Sequence, residues 1–305
     1  MIAKIDLLAS FLEAKLRDFA DVAVVGVSGG VDSAVVAAIC TEALGQENVY
    51  LVSMPYDEID RQTFNMLSAE LAEKLRAHHL VIPIDEPTDA IVHKIEMGFE
   101  RELLTKHELH QLTKGNIRAR ARMNVLYSIA GELITRFDER ENCESTVISL
   151  KGKSSKRRVR VIGTSNASEE LIGYDTKGGD ALADLFIIGD LFKSEVYQLA
   201  QYYEVLPSIV AAPPSAGLYP GQTDHRELGY SYEELEPALC ALYRVIDRGV
   251  KDEDINVALM EFAEVDSKVA NFVIDRFRAN AHKHRAAAVV KVRNTSLVKD
   301  IWLTS

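Results

Sequence analysis

The stretch Val22-Ala23-Val24-Val25-Gly26-Val27, followed at once by Ser28-Gly29-Gly30-Val31-Asp32-Ser33, constrains the fold more than any other part of the chain. A short valine-rich run bounded by Asp21 and two glycines reads as a buried strand. Residues 31–44 then carry apolar residues at helical spacing and end at Gly45, a suitable C-terminal cap. The paired glycines let the backbone turn tightly and approach a ligand closely. The serine hydroxyls and the free N–H groups at the helix start can hold phosphate oxygens. An ordinary glycine turn, with Asp32 as a helix-start carboxylate, accounts for the same residues.

The pattern repeats downstream. Residues 48–53 and 79–84 read as further strands and 61–77 as a helix. Strands alternating with helices predict a doubly wound parallel sheet, Rossmann-like, with helices on both faces. Residues 87–137 read as mostly helical, with a break at Lys114-Gly115-Asn116, and 159–163 as a fourth strand. Helical spacing over 193–204, 231–248, 252–264 and 266–282 predicts a helical C-terminal part, and the last twenty residues read as a strand or extended tail. Residues 138–158 are the most polar stretch; their basic cluster at 151–160 reads as a solvated loop rather than a nucleic-acid patch. One domain spanning 1–305, interrupted by that polar insertion, is the expected organisation.

Bulk properties narrow the function. The net charge of −11 weighs against a nucleic-acid partner, because phosphate backbones need a basic face. No apolar run reaches the ~18 residues that span a bilayer, and the first sixteen residues carry charges through what would be a signal peptide's apolar centre. Cys40, Cys143 and Cys240 are odd in number and lack CxxC spacing, which suggests a reducing compartment, the cytoplasm, and no zinc site.

The glycine loop is not a Walker sequence, since no Gly-Lys-Ser/Thr follows. It resembles the SGGxDS loop of the ATP pyrophosphatases, which binds the pyrophosphate of ATP. Later segments resemble one branch of them, the ammonia-dependent NAD synthetases. Lys114-Gly115-Asn116-Ile117-Arg118-Ala119-Arg120-Ala121-Arg122-Met123 resembles their KGNxxARxRM stretch. Arg118 and Arg122, four apart, share a helix face while Arg120 points elsewhere; such a cluster suits a carboxylate or phosphate, or a solvated basic helix. Gly163-Thr164-Ser165-Asn166-Ala167-Ser168-Glu169 resembles GTxxxxE, and Gly173-Tyr174-Asp175-Thr176-Lys177-Gly178-Gly179-Asp180 resembles GFFTKYGDGGAD. Here Gly178 replaces an aromatic residue and Ala181-Leu182 replace Gly-Gly. Leu191-Phe192-Lys193-Ser194-Glu195-Val196 resembles LxKxxV, and Pro214-Ser215 with Gln222-Thr223-Asp224 resembles PSAxLxxxQxDE, with His225 in place of Glu. The resemblance runs from about residue 10 to about 235.

The resemblance implies ATP-dependent amidation of deamido-NAD by ammonia, through an acyl-adenylate, with AMP and pyrophosphate released. It implies that Gly26, Ser28, Gly29, Gly30, Asp32, Ser33, Thr164, Lys193 and Ser215 bind ATP. It implies that Asp32 and Glu169 bind Mg2+, a hard cation suited to carboxylate oxygen. Asn116, Arg120, Arg122, Lys177, Asp180 and Asp224 would contact deamido-NAD. Asp180, Asp184 and Lys193 would be catalytic, with Asp180 near the ammonia. A homodimer is implied as well. Free ammonia is the expected nitrogen source, since the motifs begin by residue 26 and leave no room for a glutaminase domain; a separate glutaminase partner stays open. Three alternatives remain. One is a related enzyme amidating a different carboxylate. A second is a tRNA-modifying enzyme, for which neither a basic RNA face nor a reactive cysteine near the loop is evident. The third is a non-catalytic dinucleotide-binding paralogue, against which Asp32, Glu169 and Lys193 argue.

Overall fold

A computed structural model describes residues 2–57, 65–144, 156–215, 217, 221–251, 254–260 and 266–283. Its centre is β1 (Val22–Gly26). On one side lie β2 (Val49–Ser53) and β3 (His78–Val81); on the other lie β4 (Val159–Gly163) and β5 (Leu185–Phe186). The order is β3-β2-β1-β4-β5, and every pairing is parallel. Twelve α-helices accompany the strands among the described residues: α1 (Ile2–Phe19), α2 (Val31–Leu44), α3 (Asn65–Leu75), α4 (Asp85–Leu103), α5 (Gln111–Glu144), α6 (Ala167–Leu171), α7 (Lys193–Tyr202), α8 (Pro207–Val210), α9 (Asp224–Leu228), α10 (Tyr232–Asp247), α11 (Ile255–Met260) and α12 (Ser267–Asn280).

Strand residues alternate between two covered faces, as a doubly wound sheet demands. Ala23 and Val25 pack into a core with α1, α2 and α7, through residues such as Leu16, Ile39 and Leu199. Val22, Val24, Val159 and Val161 pack on the opposite face against Ala130 and Leu133 of α5. A third apolar cluster joins Ile172, just after α6, to α10, α11 and α12 through Leu239, Leu259 and Ile274. This is the helical C-terminal part. No described helix is long and apolar enough to cross a membrane.

Three local expectations change. The predicted break at 114–116 is absent: α5 runs through it for 34 residues. A mid-helix glycine costs only about 1 kcal/mol, which packing along a long helix offsets. The real break lies at 104–110, where Leu104 takes the left-handed conformation at φ 58°. Two backbone N–H groups of that connection donate to α4 side chains, Leu109 to Glu96 Oε1 at 2.9 Å and His107 to Glu100 Oε1 at 3.4 Å. β3 covers 78–81 rather than 79–84 and is an edge strand with exposed residues, so its apolar run carried little positional information. β5, with two residues, went unpredicted because nothing that short has a period. Residues 61–64 of the expected helix, 145–155 of the polar stretch and the C-terminal tail lie outside the described residues.

Candidate functional site

The strand order fixes where a ligand goes. The chain runs outward from β1 to β2 on one side and to β4 on the other, so the helices diverge between β1 and β4 and leave a crevice beyond their carboxyl ends. An open cleft lies there, bounded by the glycine loop, the segment after β4, α5 and the loop around Pro213–Ser215.

The glycine loop is shaped by its own side chains. Gly29 has φ 78°, a region that L side chains rarely adopt. Ser33 Oγ donates to Gly30 O at 3.0 Å and accepts from Ser28 N–H at 3.2 Å; Ser28 Oγ accepts from Gly30 N–H at 3.3 Å. No side chain caps the α2 N-terminus, which leaves its first N–H groups facing the cleft, as an anion requires. Gly26 brings the end of β1 against Leu126 and Met54, either of which would meet a Cβ there at 3.3 Å. This wall of the cleft is apolar and flat.

The polar floor is a charge cluster. Lys193, 3% exposed, places Nζ 2.6 Å from Asp32 Oδ2 and 2.9 Å from Glu169 Oε1. Burial alone would lower the ammonium's pKa, but the two carboxylates override it and hold the pKa above its ordinary value. Burial pushes the Glu169 carboxyl up, opposed by Lys193 and reinforced by Asp32. Asn166 joins the two acids: its Nδ2 donates to Asp32 Oδ1 at 2.9 Å, and its Oδ1 accepts from Glu169 N–H at 3.1 Å, capping α6. Ser168 Oγ accepts from Lys193 N–H at 3.0 Å. The Lys193 ammonium also stands 5.1 Å from the Tyr232 ring, whose hydroxyl donates to Asp224 Oδ2 at 3.0 Å. Sequence reasoning gave Asn166, Ser168 and Tyr232 no role. For Asn166 a signal existed, because Asn three residues before Glu marks a helix start.

The other expected residues divide. Thr164, Ser215, Arg122, Asp180 and Asp224 line the cleft with the loop residues already described. Arg122 Nε donates to Met54 O at 3.2 Å, while Arg118 is buried against the Tyr56 ring, so both arginines serve the end of β2. Ser215 Oγ donates to Gln222 O at 2.8 Å. Asp224 is buried beside Tyr232, and burial raises its pKa. Asp180 is open to the cleft, yet the surrounding protein pushes its pKa up, with the Thr176 N–H acting the other way. Four expected residues stand outside the cleft lining. Asn116 Oδ1 accepts from Thr176 Oγ1 at 2.8 Å, and Arg120 Nε donates to Lys177 O at 3.3 Å. Lys177 Nζ donates to His282 O at 2.6 Å. Asp184 has both oxygens engaged, accepting from Val161 N–H at 2.8 Å and from the Tyr127 hydroxyl at 3.3 Å. Its carboxylate ties β5 to β4 instead of facing the cleft. His225, one of the departures from the motif, is exposed and lies outside the lining.

The donor set fits a magnesium ion. Two carboxylates from different strand ends converge on one point and already hold a cation there. Magnesium takes one or two carboxylates and completes its shell with water and substrate phosphate.

Comparison with known proteins places most of the chain in one family. The family model described as NAD synthase matches residues 4–135 and 146–287, further along the chain than the motif resemblance reaches. The NH(3)-dependent NAD(+) synthetase of Syntrophomonas wolfei subsp. wolfei is 40% identical over 72% of this chain and 75% of its own. That of Methanocaldococcus jannaschii is 32% identical over 90% and 92%. Among solved structures, NMN synthetase from Francisella tularensis superimposes with a TM-score of 0.68 at 27% identity, covering 94% of this chain and 98% of that one.

Proposed function

The chain belongs to the NAD synthase family, whose ligases amidate deamido-NAD with ammonia and ATP, and from that premise we propose how its cleft carries out the reaction. The observation that carries this reading is the convergence of Asp32 and Glu169, from the ends of β1 and β4, on the buried Lys193 ammonium.

A carboxylate reacts poorly with ammonia near neutral pH, and a mixed anhydride with AMP supplies a leaving group. The purine lies along the apolar wall beside Gly26, Met54 and Leu126. The pyrophosphate end sits over Ser28–Ser33, where the uncapped N–H groups of α2 and the two serine hydroxyls receive phosphate oxygens. Thr164, Ser215 and Lys193 approach the same phosphates from the opposite walls. Asp32 and Glu169 would hold magnesium, which when bound neutralises phosphate charge. The substrate carboxylate forms its bond to the α-phosphorus as the bond to pyrophosphate breaks. Ammonia then forms the C–N bond, the C–O bond to AMP breaks, and the nitrogen releases a proton. Asp180, with its raised pKa, accepts that proton. Most of the acceleration comes from positioning and charge neutralisation. Arg122 and Asp224 contact deamido-NAD directly; Asn116, Arg120 and Lys177 act on it through the loop they hold, and Asp184 fixes the strand that follows.

The chain reads as one domain with a polar insertion near 138–158; the family match is interrupted between 135 and 146, at the start of that stretch, and resumes within it. It works as a homodimer. The support is a stripe of exposed apolar residues four apart on α4, Ile91, Ile95, Phe99 and Leu103, together with the exposed Leu112 of α5. Free ammonia is the nitrogen source. The free thiols Cys40 and Cys240 suit a reducing cytoplasm.

The test is an AMP-release assay with ATP, magnesium and deamido-NAD, with and without ammonium, following NAD through a coupled dehydrogenase. NAD that forms only with ammonium supports the reading; ATP cleavage without NAD overturns it. A second reading, amidation of the deamidated mononucleotide, is favoured by the likeness to an NMN synthetase together with Gly178 and Ala181-Leu182 in the loop before Asp184. The same assay with that mononucleotide in place of deamido-NAD decides between the two.

A further inference from the structure

Residues 172–181 carry Asp180 into the cleft but contain no helix or strand, and most of what holds them comes from two distant parts of the chain. On one side stands α5. Thr176 Oγ1 donates to Asn116 Oδ1, Arg120 Nε donates to Lys177 O, and Gly179 approaches so closely that a Cβ would come within 2.9 Å of Ala119 Cβ. On the other side stands the end of α12 and the residues after it. Asn280 Nδ2 donates to Ile172 O at 3.2 Å and to Arg276 O at 2.9 Å, which fixes its rotamer. Gly173, at φ 59°, lies flat against the Asn280 side chain, and any Cβ there would overlap it. Lys283 Nζ donates to Gly173 O at 2.6 Å and to Asp175 O at 2.8 Å, and lies 3.6 Å from the Asp175 carboxylate. Lys177 closes the contact by donating to His282 O.

Three backbone carbonyls, those of Ile172, Gly173 and Asp175, are thus tied by the C-terminal segment, immediately before the turn that presents Asp180. That turn is closed locally: Asp180 Oδ1 accepts from Thr176 N–H at 2.6 Å, and Gly179 N–H donates to Thr176 O at 2.8 Å. Thr176 therefore inherits its place from Gly173 and Asp175, and Asp180 inherits its place from Thr176. A displacement of about 1 Å at a reacting group can cost on the order of a hundredfold in rate.

We infer that Asn280 and Lys283 are positioning residues for the amidation step, clamping residues 172–181 against α5 so that Asp180 faces the substrate. This rests on the reading that Asp180 serves the amidation. The glycine loop and Asp32 are held by Ser28, Ser33 and Asn166, outside the clamp. Glu169 meets the clamped segment only through its backbone, accepting from Tyr174 N–H at 2.9 Å, so the first half of the reaction depends on the clamp far less than the amidation does.

The experiment compares Asn280→Ala, Lys283→Met and the conservative Lys283→Arg with the unsubstituted chain and with Asp180→Asn. Three quantities are measured: pyrophosphate–ATP exchange in the presence of deamido-NAD and magnesium, NAD formation with ammonium, and amide hydrogen exchange of residues 172–181. In the Ala and Met variants, amide exchange in 172–181 should rise at least about tenfold with α2 unchanged. NAD formation should fall about ten- to a hundredfold while pyrophosphate exchange stays within about twofold. Lys283→Arg should recover most of the loss. The clamp is overturned if amide exchange in 172–181 is unchanged. Its role in amidation is overturned if the loop loosens without loss of NAD formation, or if pyrophosphate exchange and Tm fall in parallel with it. If the unsubstituted chain makes no NAD, or if Asp180→Asn keeps full activity, the functional reading fails instead, and amide exchange still decides whether the clamp exists.

Discussion

The loop after β1 and the loop after α6 each deliver a carboxylate to the same cleft, and they are built on opposite plans. The first is four residues, Val27–Gly30, between a strand and a helix. Its bends are fixed by Ser28, Gly30 and the adjoining Ser33, and its carboxylate rides on the first turn of α2. The second has no regular structure and is held by side chains from α5 and from the C-terminal segment, 60 residues before it in one direction and 105 to 110 after it in the other. A locally built loop survives changes elsewhere and is sensitive to its own residues. A loop tied at a distance is vulnerable wherever a tie is anchored.

The largest expected effect breaks the first loop. Asp32→Ala removes one of the two carboxylates on Lys193 and one ligand of the candidate magnesium. AMP formation should fall about a thousandfold, on the scale of losing a main electrostatic contact at the reacting centre. An Asp32→Ala chain with full ATP-dependent turnover would sink the magnesium assignment. Next comes a contrast within the second loop. Gly173→Ala puts a side chain into Asn280 at a positive φ and should cost about 3 kcal/mol by denaturant titration. Gly178→Ala has the same backbone problem at φ 72° but meets nothing within 4 Å, so about 1 kcal/mol is expected. Equal losses at the two glycines would mean that the C-terminal segment does not press on the loop.

Thr176→Val should then sharpen the difference in kind. It removes one hydrogen bond, to Asn116, worth about 1 kcal/mol of stability, yet should lower NAD formation about tenfold by freeing Asp180. The smallest effect lies far from both loops. Asp21 accepts hydrogen bonds from Arg158 N–H, Nε and Nη2 at 2.7, 3.1 and 2.8 Å, pinning the starts of β1 and β4 together. The Arg158 guanidinium holds its carboxyl below the ordinary value of 3.8. Because the folded value is the lower one, the contribution is complete above the unfolded value and disappears as pH falls through the folded one. Asp21→Asn should cost about 1 kcal/mol near pH 7, since the pair is partly exposed, and the difference should shrink in thermal melts as pH falls below the ordinary carboxylate value of 3.8.

The same contrast governs what could be read from residues alone. β1, α2, β2 and β4 were legible because each carries its own period and its own terminator. Asp32 and Glu169 were legible as a pair through the resemblance of their segments to SGGxDS and GTxxxxE, and parallel strands bring their carboxyl ends to one edge. The break placed at Lys114-Gly115-Asn116 was illegible, because a glycine inside a long helix is decided by packing and not by propensity. Asp184 occupies the position of a motif aspartate, and only the pairing of β4 with β5 shows its carboxylate spent on Val161 and Tyr127. Asn166 joins the two acids through an amide whose partner lies 134 residues away, a separation that no local pattern encodes.

The sequence by itself determined the parallel sheet and the phosphate-ready turn. These follow from side-chain period, from the backbone freedom of glycine and from helix-end chemistry, all of which act within a few residues; the residues expected at the sheet's edge came from the motif resemblance. The tertiary structure alone decided that Lys193 lies between Asp32 and Glu169, and that residues 280–283 hold the loop bearing Asp180. Contacts between distant parts of the chain depend on how whole elements stack, and that is settled by the burial of three apolar cores together, not by any one segment.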